Sequence, residues 1–532
     1  MTDAQSGDLI ARIRGVLSSA FGKAEDTPSP APPAPPSSPP RPQGGPIAAH
    51  TDDIAATGDI RQAAEHGLAV LRSVSHIGFL GGMTRWLIEM DQTERIGPNL
   101  LSKYKLAASM LHESNRQLYG EWTLDIGQKL LDRSELELGH EFFRCADNIA
   151  STPETRFAVK LLDTFKALRD EAEHRAREAI KTDGAGPHYL ISSVVWGDEY
   201  CDIYMRYLIR SLLAPGNLPA LNGRNVFFSI CTTPAGEKRI RSNPVFPTLA
   251  QVAKVHFFHF PEELTTVGDH VSPTSLMYQL YGTMDHVAIF FARALKASMF
   301  FFPVDCVVAD GSIRNLLKYL NQGYEAIGLT NMVAERERFL PALDARFGKS
   351  PTISLTPLEL ATLGYKLRHQ YTEVGQIQRC NKDYAKWPRE MFWPRKGGLD
   401  VRAMFLHPLC VSSTALQREL KLNYKWVDFH FTSCLFPTEA DFPKFKVLNT
   451  SDEIYINDCT TRRRTFPTTG HPFDPAALAF ESRHLKPLHR WIMSQPQFIR
   501  CEGVGRASHR DTEADLAAVF AALDRYSNVD GG

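Results

Sequence analysis

The stretch from Ala297 to Ser312 reads ASMFFFPVDCVVADGS, an apolar run that delivers Asp305 and, five residues later, Asp310 beside a glycine. The apolar part predicts a buried strand over Met299–Val304, and the residues that follow predict a helix over Ser312–Gln322. A carboxylate at the end of a buried strand can hold Mg or Mn, because both ions prefer hard oxygen ligands. Asp305 is the first candidate ligand. Asp310 is a candidate contact for the cofactor, and the alternative for it is a role as a turn or helix-capping residue.

Short apolar strands alternate with amphipathic helices on both sides of this stretch. Such alternation predicts an α/β fold with a mostly parallel sheet flanked by helices. In a sheet of this kind ligands bind beyond the carboxyl ends of the strands, so the residues after each strand are the candidates for chemistry. The other predicted strands are His188–Val195, Asn225–Cys231, Lys254–Phe260 and Ala326–Leu329, and the other predicted helices include Tyr200–Leu213, Asn243–Val252 and Ser275–Ala297.

Two loops at this edge offer groups that suit a nucleotide. Trp196, Gly197 and Tyr200 follow the first predicted strand, and Thr232 and Thr233 follow the second. Together they supply an aromatic surface, a small residue for close approach and hydroxyl groups. The competing interpretation is that the two aromatic side chains only cover the edge of the sheet.

The strand with its terminal Asp305, the small-residue turn and the amphipathic helix together resemble the DxD region of GT-A glycosyltransferases. In that resemblance Asp305 takes the place of the last Asp of the motif, which binds metal in the family, and Pro303 stands where the first Asp is expected. The run from Met284 to Leu295 is similar to the helix that precedes the motif. The resemblance covers roughly half of the chain by architecture and is most specific near Asp305.

The resemblance implies transfer of a sugar from a nucleotide-sugar donor to a glycan or glycoconjugate acceptor, with Mg or Mn bound at Asp305. It nominates His407 as a further metal ligand or phosphate contact, although a histidine before a proline is often structural. It also nominates Glu335 as a base or acceptor contact. Alternating charges from Glu335 to Arg338 would equally suit the start of a solvated helix.

A pair of polar residues, Asp428 and His430, alternates with two phenylalanines. In a strand, residues two apart lie on one face, so this pattern predicts an Asp and a His side by side as a catalytic pair or as part of a metal site.

Composition limits the class of function. Sixty Lys plus Arg residues balance sixty Asp plus Glu residues, so the chain has no broad positive field with which to hold a nucleic acid. Nine scattered cysteines without a CxxC pattern indicate reduced thiols, and the sequence shows neither a secretory signal nor an apolar run suited to a bilayer. We therefore expect a cytoplasmic protein, with the inner face of the membrane as one location. P-loop, GxGxxG, HExxH and GxSxG motifs are missing at suitable positions, which disfavours the corresponding enzyme classes.

The pattern along the chain predicts five segments. They are an amphipathic helix in residues 1–25, a Pro-rich linker in 26–50, a helical domain in 51–182, the GT-A-like domain in 186–466 and a C-terminal helical extension in 467–532. Residues 6–23 suit docking to a membrane surface or a protein, or form a terminal helix without a partner.

Two other functions stay open at this point. One is a non-catalytic GT-A-like binding or scaffold protein, which fits Pro303 in place of the first Asp. The other is a different nucleotide-dependent transferase, which would need a Gly-rich phosphate loop that Trp196-Gly197-Asp198 does not supply.

Overall fold

The structure is a computed structural model. It describes residues 76–90, 92–111, 113–183, 187–221, 225–266, 273–376, 390–424, 427–461, 474–483, 485–504 and 512–527. The predicted amphipathic helix of residues 1–25 and the Pro-rich linker of residues 26–50 lie outside this part of the chain.

The chain divides into two compact units. The first contains the described residues up to Leu162 together with those of Thr266–Leu280, and the second contains Asp163–Thr265 and Tyr281–Gly532 as far as they are described. Within the first unit the described residues before Leu162 are helical apart from short turns. The predicted domain boundaries remain predictions.

The first unit has a core of its own. Tyr104 and Phe142 are fully buried, and their rings pack with centroids 5.1 Å apart. The Tyr104 hydroxyl is satisfied by Thr123 Oγ1 at 2.7 Å, as a buried hydroxyl requires. Its helices are α1 (76–89), α2 (Pro98–Ser109), α3 (Glu113–Asp132), α4 (Leu136–Ile149) and the first part of α5 (Pro153–Asp183).

The second unit is built on a mixed sheet of seven strands, which confirms the α/β class. The strands lie in the order β11-β6-β10-β4-β1-β2-β3. All neighbouring pairs are parallel except those of β10, which runs antiparallel to both β4 and β6. These strands are β1 (His188–Val194), β2 (Asn225–Thr232), β3 (Lys254–His259), β4 (Ala297–Phe301), β6 (Ala326–Gly328), β10 (Pro408–Val411) and β11 (Phe445–Val447).

Six further strands form two small sheets of three strands each. One has the order β5-β12-β7, with β5 (Cys306–Val308), β12 (Ile456–Thr460) and β7 (Val333–Glu335). The other has the order β13-β9-β8, with β8 (Glu390–Arg395), β9 (Gly398–Ala403) and β13 (Gln497–Arg500).

The helices of the second unit follow the strands and cover both the large and the small sheets. Two π-helical turns interrupt them, at Tyr204–Ile209 and Val427–Phe431. The helices are α6 (Asp198–Ile203), α7 (Arg210–Leu212), α8 (Pro234–Ser242), α9 (Phe246–Val252), the part of α10 (Pro273–Leu295) that begins at Tyr281, α11 (Ser312–Asn321), α12 (Arg336–Phe347), α13 (Pro357–Lys366), α14 (Gln370–Val374), α15 (Ser413–Leu416), α16 (Thr432–Leu435), α17 (Pro475–Glu481), α18 (Pro487–Ser494) and α19 (Thr512–Ser527).

The sheet order explains where a ligand can approach. Strands β1, β2, β4 and β6 are parallel within the sheet, so their carboxyl ends lie at one edge. Strand β10 runs the other way, which brings its first residue, Pro408, to the same edge opposite Gly328. The loops after β1 and β4 and the residues just before β10 therefore converge.

No described helix is long and apolar enough to cross a membrane. The eight described cysteines are free thiols, and seven of them are buried.

Candidate active site

Asp305 lies in the turn between β4 and β5, at the edge where the strands end. Pro303 has no N–H for a strand ladder, and the chain turns here with Cys306 N donating to the Pro303 carbonyl at 3.2 Å. The Asp305 carbonyl accepts hydrogen bonds from the backbone N–H and from the thiol of Cys459, each at 3.1 Å. These bonds fix Asp305 against β12.

Asp458 is the second carboxylate at this place. It lies on β12 directly opposite Cys306, the residue after Asp305. Its Oδ1 is closed to solvent and receives no hydrogen bond from the part of the chain that is described. Burial raises the pKa of Asp458 to about 7, and the charge of Asp305 adds to the rise. A buried carboxylate oxygen without a donor is a group that a cation or a substrate proton would satisfy.

Burial also raises the pKa of Asp305, to about 6, while a backbone hydrogen bond and the positive charge of Arg336 oppose the rise. The two carboxylates thus sit in a shared, poorly solvated place where both ionise reluctantly. Such pairs are common at functional sites, because the fold tolerates them only where something else offsets their charge.

Arg336 is the guanidinium that faces Asp305. Only 11% of its side chain is exposed, although it lies at the start of α12 in a run of charged residues. Its Nη2 donates to Glu199 Oε1 at 2.8 Å, and its guanidinium lies 5.7 Å from the centre of the Tyr200 ring. Burial raises the pKa of the Tyr200 hydroxyl, and the charge of Asp305 raises it further. Asp305, Tyr200 and Arg336 therefore belong to one cluster.

Three more polar groups surround Asp458. The Asn331 amide and the His407 imidazole lower its pKa, and the charge of Glu390 raises it. His407 precedes β10 and packs edge-to-face on Phe301, the last residue of β4, with ring centroids 6.0 Å apart. The structure thus brings together Asp305, His407 and Tyr200 from the sequence prediction.

The described residues contain no group of three or more His, Cys, Asp or Glu side chains placed to hold a metal ion. Mg commonly binds through only one or two carboxylates and completes its shell with water and substrate phosphates. The carboxylate oxygens of Asp305 and Asp458 fit this mode of Mg binding. Asp458 Oδ1 in particular is buried and has no hydrogen-bond donor among the described residues.

Other predicted site residues have structural partners. Thr233 caps α8, with its hydroxyl oxygen accepting from Gly236 N at 3.1 Å, and Thr232 is fully buried under the same glycine. Trp196 packs edge-to-face on Phe260 at 5.8 Å. Gly197 has a φ of 75°, a left-handed conformation that suits glycine at the start of α6. A role for these residues in binding a nucleotide stays a prediction.

Asp310 is held by the fold at the far end of β5 from Asp305. Its Oδ1 accepts from Gly216 N and its Oδ2 from the Ser354 hydroxyl, both at 2.6 Å. Glu335 ends β7 directly before α12 and lies 3.8 Å from Arg338 in an ion pair. The structure does not place Asp310 beside Asp305, and it gives Glu335 the position of a residue that precedes a helix.

The strand predicted for Asp428 and His430 is wrong. Residues Val427–Phe431 form a π-helical turn, in which residues two apart do not share a face. Phe431 packs on Phe301 with centroids 5.8 Å apart, so contacts with the core override the alternating pattern. The Asp428 side chain lies outside the described part of the structure.

Sequence reasoning missed Asp458, Arg336, Asn331 and Glu390. Asn331 follows β6 and could have been selected by the same rule that selected Trp196 and Asp305. No local signal distinguished Asp458, because its importance comes from a strand pairing with a segment far away in the chain.

Comparison with known proteins does not assign the chain to a family. No family model matches the chain, and no curated protein matches it.

Proposed function

We propose that the protein is a glycosyltransferase that moves a sugar from a nucleotide-sugar donor to a glycan or glycoconjugate acceptor. The observation that carries the proposal is the pair of poorly solvated carboxylates, Asp305 and Asp458, beyond the carboxyl end of β4 in an α/β sheet. The chain's resemblance to the GT-A family around Asp305 supports the same function.

In this proposal Asp305 and Asp458 hold Mg or Mn, with His407 beside them. When bound, the cation neutralises the negative charge that develops on a departing nucleoside diphosphate. Arg336 can donate to a diphosphate oxygen once a ligand displaces Glu199, its partner at 2.8 Å. The exposed Tyr200 ring, which is 38% accessible, offers a face for the base or ribose.

The acceptor hydroxyl needs a group that takes its proton. Glu335, Asp428 and His430 were nominated from the sequence and are the candidates for this step, because Asp458 is assigned to the cation. A cytoplasmic location, including the inner face of the membrane, belongs to the same proposal, as does a role in polysaccharide biosynthesis.

The direct test is the thermal stability of the full chain against a panel of nucleoside diphosphates and nucleotide sugars, with and without Mn. A ligand that binds only the folded state raises the unfolding temperature. A Mn-dependent rise in unfolding temperature with one nucleotide supports the proposal and identifies the nucleobase of the donor. Radiolabelled donor then shows whether sugar is transferred or hydrolysed.

A non-catalytic binding protein is the second candidate, because Pro303 replaces the first acidic residue of the motif. Nucleotide binding without transfer or hydrolysis in the presence of Mn would favour it. The absence of any stability change with all nucleotides would reject both the transferase and a nucleotide-binding role.

A further inference from the structure

A groove runs between the helical stretch that begins with α6 and helix α12. The groove is open to solvent and has a volume of about 350 Å³, near the small end of the range for ligand pockets. Ile203, Leu340 and Pro341 provide its apolar surface, and charged side chains line the remainder. None of these groups is used by the proposed binding of the donor except Arg336 and Glu199.

An ion pair links the two helices at each end of the groove. Arg336 and Glu199 join the starts of the two helices at 2.8 Å. About two turns further along, Arg206 Nη2 lies 2.9 Å from Asp344 Oδ2, and the Tyr207 hydroxyl donates to the same oxygen at 2.7 Å. The two helices therefore run side by side in the same direction, with a gap held open between two fixed ends.

The π-helical turn Tyr204–Ile209 is part of this arrangement. It widens the helix where Arg206 and Tyr207, adjacent in sequence, both reach Asp344. An isolated π-turn is less favourable than regular α-helix and is commonly retained at functional sites. Its position at the far end of the groove therefore supports a functional role for the gap between the two helices.

The near end of the groove opens at the candidate active site. Arg336 lines the cavity and also acts on the charge of Asp305. Arg336 lies over the ring of Tyr200, the residue that comes directly after Glu199 in the sequence. A chain lying in the groove would thus end beside the carboxylates, where a transferred sugar would be accepted.

The charge of the lining selects the chemical class of that chain. Four carboxylates line the groove, from Glu199, Asp202, Glu337 and Asp344, against two guanidinium groups, from Arg206 and Arg336. Both guanidinium groups are paired with carboxylates of the lining. Asp202 is in turn paired with Arg239 at 2.6 Å, so three of the four carboxylates already have a guanidinium partner. An anionic chain would find both guanidinium groups of the lining occupied, whereas paired carboxylate oxygens can still accept hydrogen bonds from hydroxyl groups.

We propose that this groove is the acceptor site and that the acceptor is an uncharged, hydroxyl-rich oligosaccharide. The inference rests on the proposed transferase function, because it names the acceptor of that reaction. The apolar surface of Leu340 and Pro341 packs on the carbon–hydrogen faces of the sugars, and the carboxylates hold their hydroxyl groups.

The test is binding of oligosaccharides to the full chain by calorimetry. The neutral probes are cellotetraose, maltotetraose, xylotetraose and mannotetraose, and the charged probes are tetragalacturonate and tetraglucosamine. Glu337→Trp places an indole in the groove from the exposed side of α12, and Asp202→Trp does so from the opposite wall. Arg338→Trp adds the same indole one residue further on, outside the groove, as the matched control.

We expect one neutral probe to bind, with a dissociation constant that rises at least tenfold in Glu337→Trp and Asp202→Trp but not in Arg338→Trp. Unfolding temperatures equal to that of the unmodified chain confirm that the variants are folded. Unaltered binding in both groove variants would overturn the site, as would the failure of all neutral probes. Tighter binding of tetragalacturonate or tetraglucosamine would overturn the uncharged class.

The nucleotide panel separates this inference from the function on which it rests. If nucleotide and Mn bind but no neutral oligosaccharide does, the groove assignment fails and the transferase survives. If an oligosaccharide binds in the groove and no nucleotide does, the groove is a carbohydrate site and the transferase is rejected.

Discussion

Asp305 and Asp458 are held together by the pairing of two short strands. Asp458 lies opposite Cys306 in an antiparallel pair, and Cys459 N donates to the Asp305 carbonyl at 3.1 Å. The two carboxylates therefore cannot move apart without breaking the small sheet. Their charges must be offset by protonation, by Arg336 or by a bound cation.

Stability should fall as pH rises through the range in which these carboxylates ionise. The folded pKa of Asp458, about 7, is above its ordinary value of 3.8, so the folded state binds the proton more tightly than the unfolded chain does. This contribution is fully present below about pH 4 and is lost as pH passes 7. With a chelator present to remove metal ions, the Asp458→Asn variant should be more stable than the unmodified chain at pH 8. The difference should be roughly 1–3 kcal/mol after allowance for solvent screening, and the two proteins should be nearly equal in stability at pH 4.

Urea unfolding at the two pH values measures this difference. Asp452→Asn, which changes a carboxylate paired on the surface with Arg500 at 3.0 Å, serves as the control and should not remove the pH dependence. A loss of stability in Asp458→Asn at pH 8 would contradict the argument that its charge is unfavourable in the folded protein.

Mn should stabilise the protein only where Asp305 is present and ionised. Since its folded pKa is about 6, the rise in unfolding temperature should be larger at pH 8 than at pH 5. At a Mn concentration of 100 times the dissociation constant, the gain is about 2.7 kcal/mol. Asp305→Asn should abolish it.

Asp310→Asn is the matched control for that measurement. Both Asp310 oxygens already accept hydrogen bonds, from Gly216 and Ser354, so this variant should lose stability, by about 1–3 kcal/mol, and keep the response to Mn. A response lost in Asp310→Asn and kept in Asp305→Asn would reverse the assignment.

Arg336→Gln should weaken nucleoside diphosphate binding about tenfold or more, because a charge-assisted hydrogen bond contributes roughly 1.5–3 kcal/mol. Removing its charge also takes away an influence that lowers the pKa of Asp305, so the Mn response should move to higher pH. Calorimetric titration with the nucleotide selected by the panel measures the first effect. Arg338→Gln, on the exposed side of α12, should bind the nucleotide normally; equal binding by both variants would exclude Arg336 from the site.

The regular part of this fold could be predicted from the sequence. Strands β1, β2 and β3 have six to eight residues with an apolar pattern, and their observed bounds agree with the predicted ones to within about three residues. The same holds for the predicted helices Asn243–Val252 and Ser275–Ala297, whereas α8 was not predicted. The position of Asp305 after an apolar strand could also be predicted, because it depends only on neighbouring residues in the sequence. The edge of the sheet, and with it Trp196 and Tyr200, followed from the rule for parallel strands, whereas His407 was nominated by the resemblance to GT-A glycosyltransferases.

The completed site could not be predicted, because it depends on contacts between distant segments. Strands β5 and β7 have three residues each, too few for a periodic pattern, and the contact of Cys459 with Asp305 spans 154 residues. Arg336 stands in an alternating run of charges that resembles a solvated surface. Only its contacts with Glu199 and Tyr200, which lie more than 130 residues earlier in the chain, show that it is buried.

Thr233 allows a structural role to be separated from a role in binding. Thr233→Ala removes the cap of α8 and should cost about 0.5–2 kcal/mol. Thr356→Ala removes a comparable cap from α13, where Thr356 Oγ1 accepts from Glu359 N at 3.3 Å. From the structure we expect both variants to unfold earlier and both to keep the nucleotide response. A weaker response in Thr233→Ala alone would establish that its hydroxyl contacts the nucleotide.

Gly364 packs closely against Asn457, the residue next to Asp458 in the candidate site. A Cβ at this position would lie 1.9 Å from Oδ1 of Asn457, which is fully buried and whose Nδ2 donates to the Asp458 carbonyl at 2.9 Å. Gly364→Ala should therefore displace Asn457, cost about 1–3 kcal/mol through overpacking, and reduce the Mn response by moving Asp458. Gly82→Ala, in helix α1 with no atom within 4 Å of the added carbon, should be neutral or slightly stabilising. Unfolding temperatures with and without Mn measure both effects, and a normal Mn response in a destabilised Gly364→Ala would show that Asp458 is not needed to bind the cation.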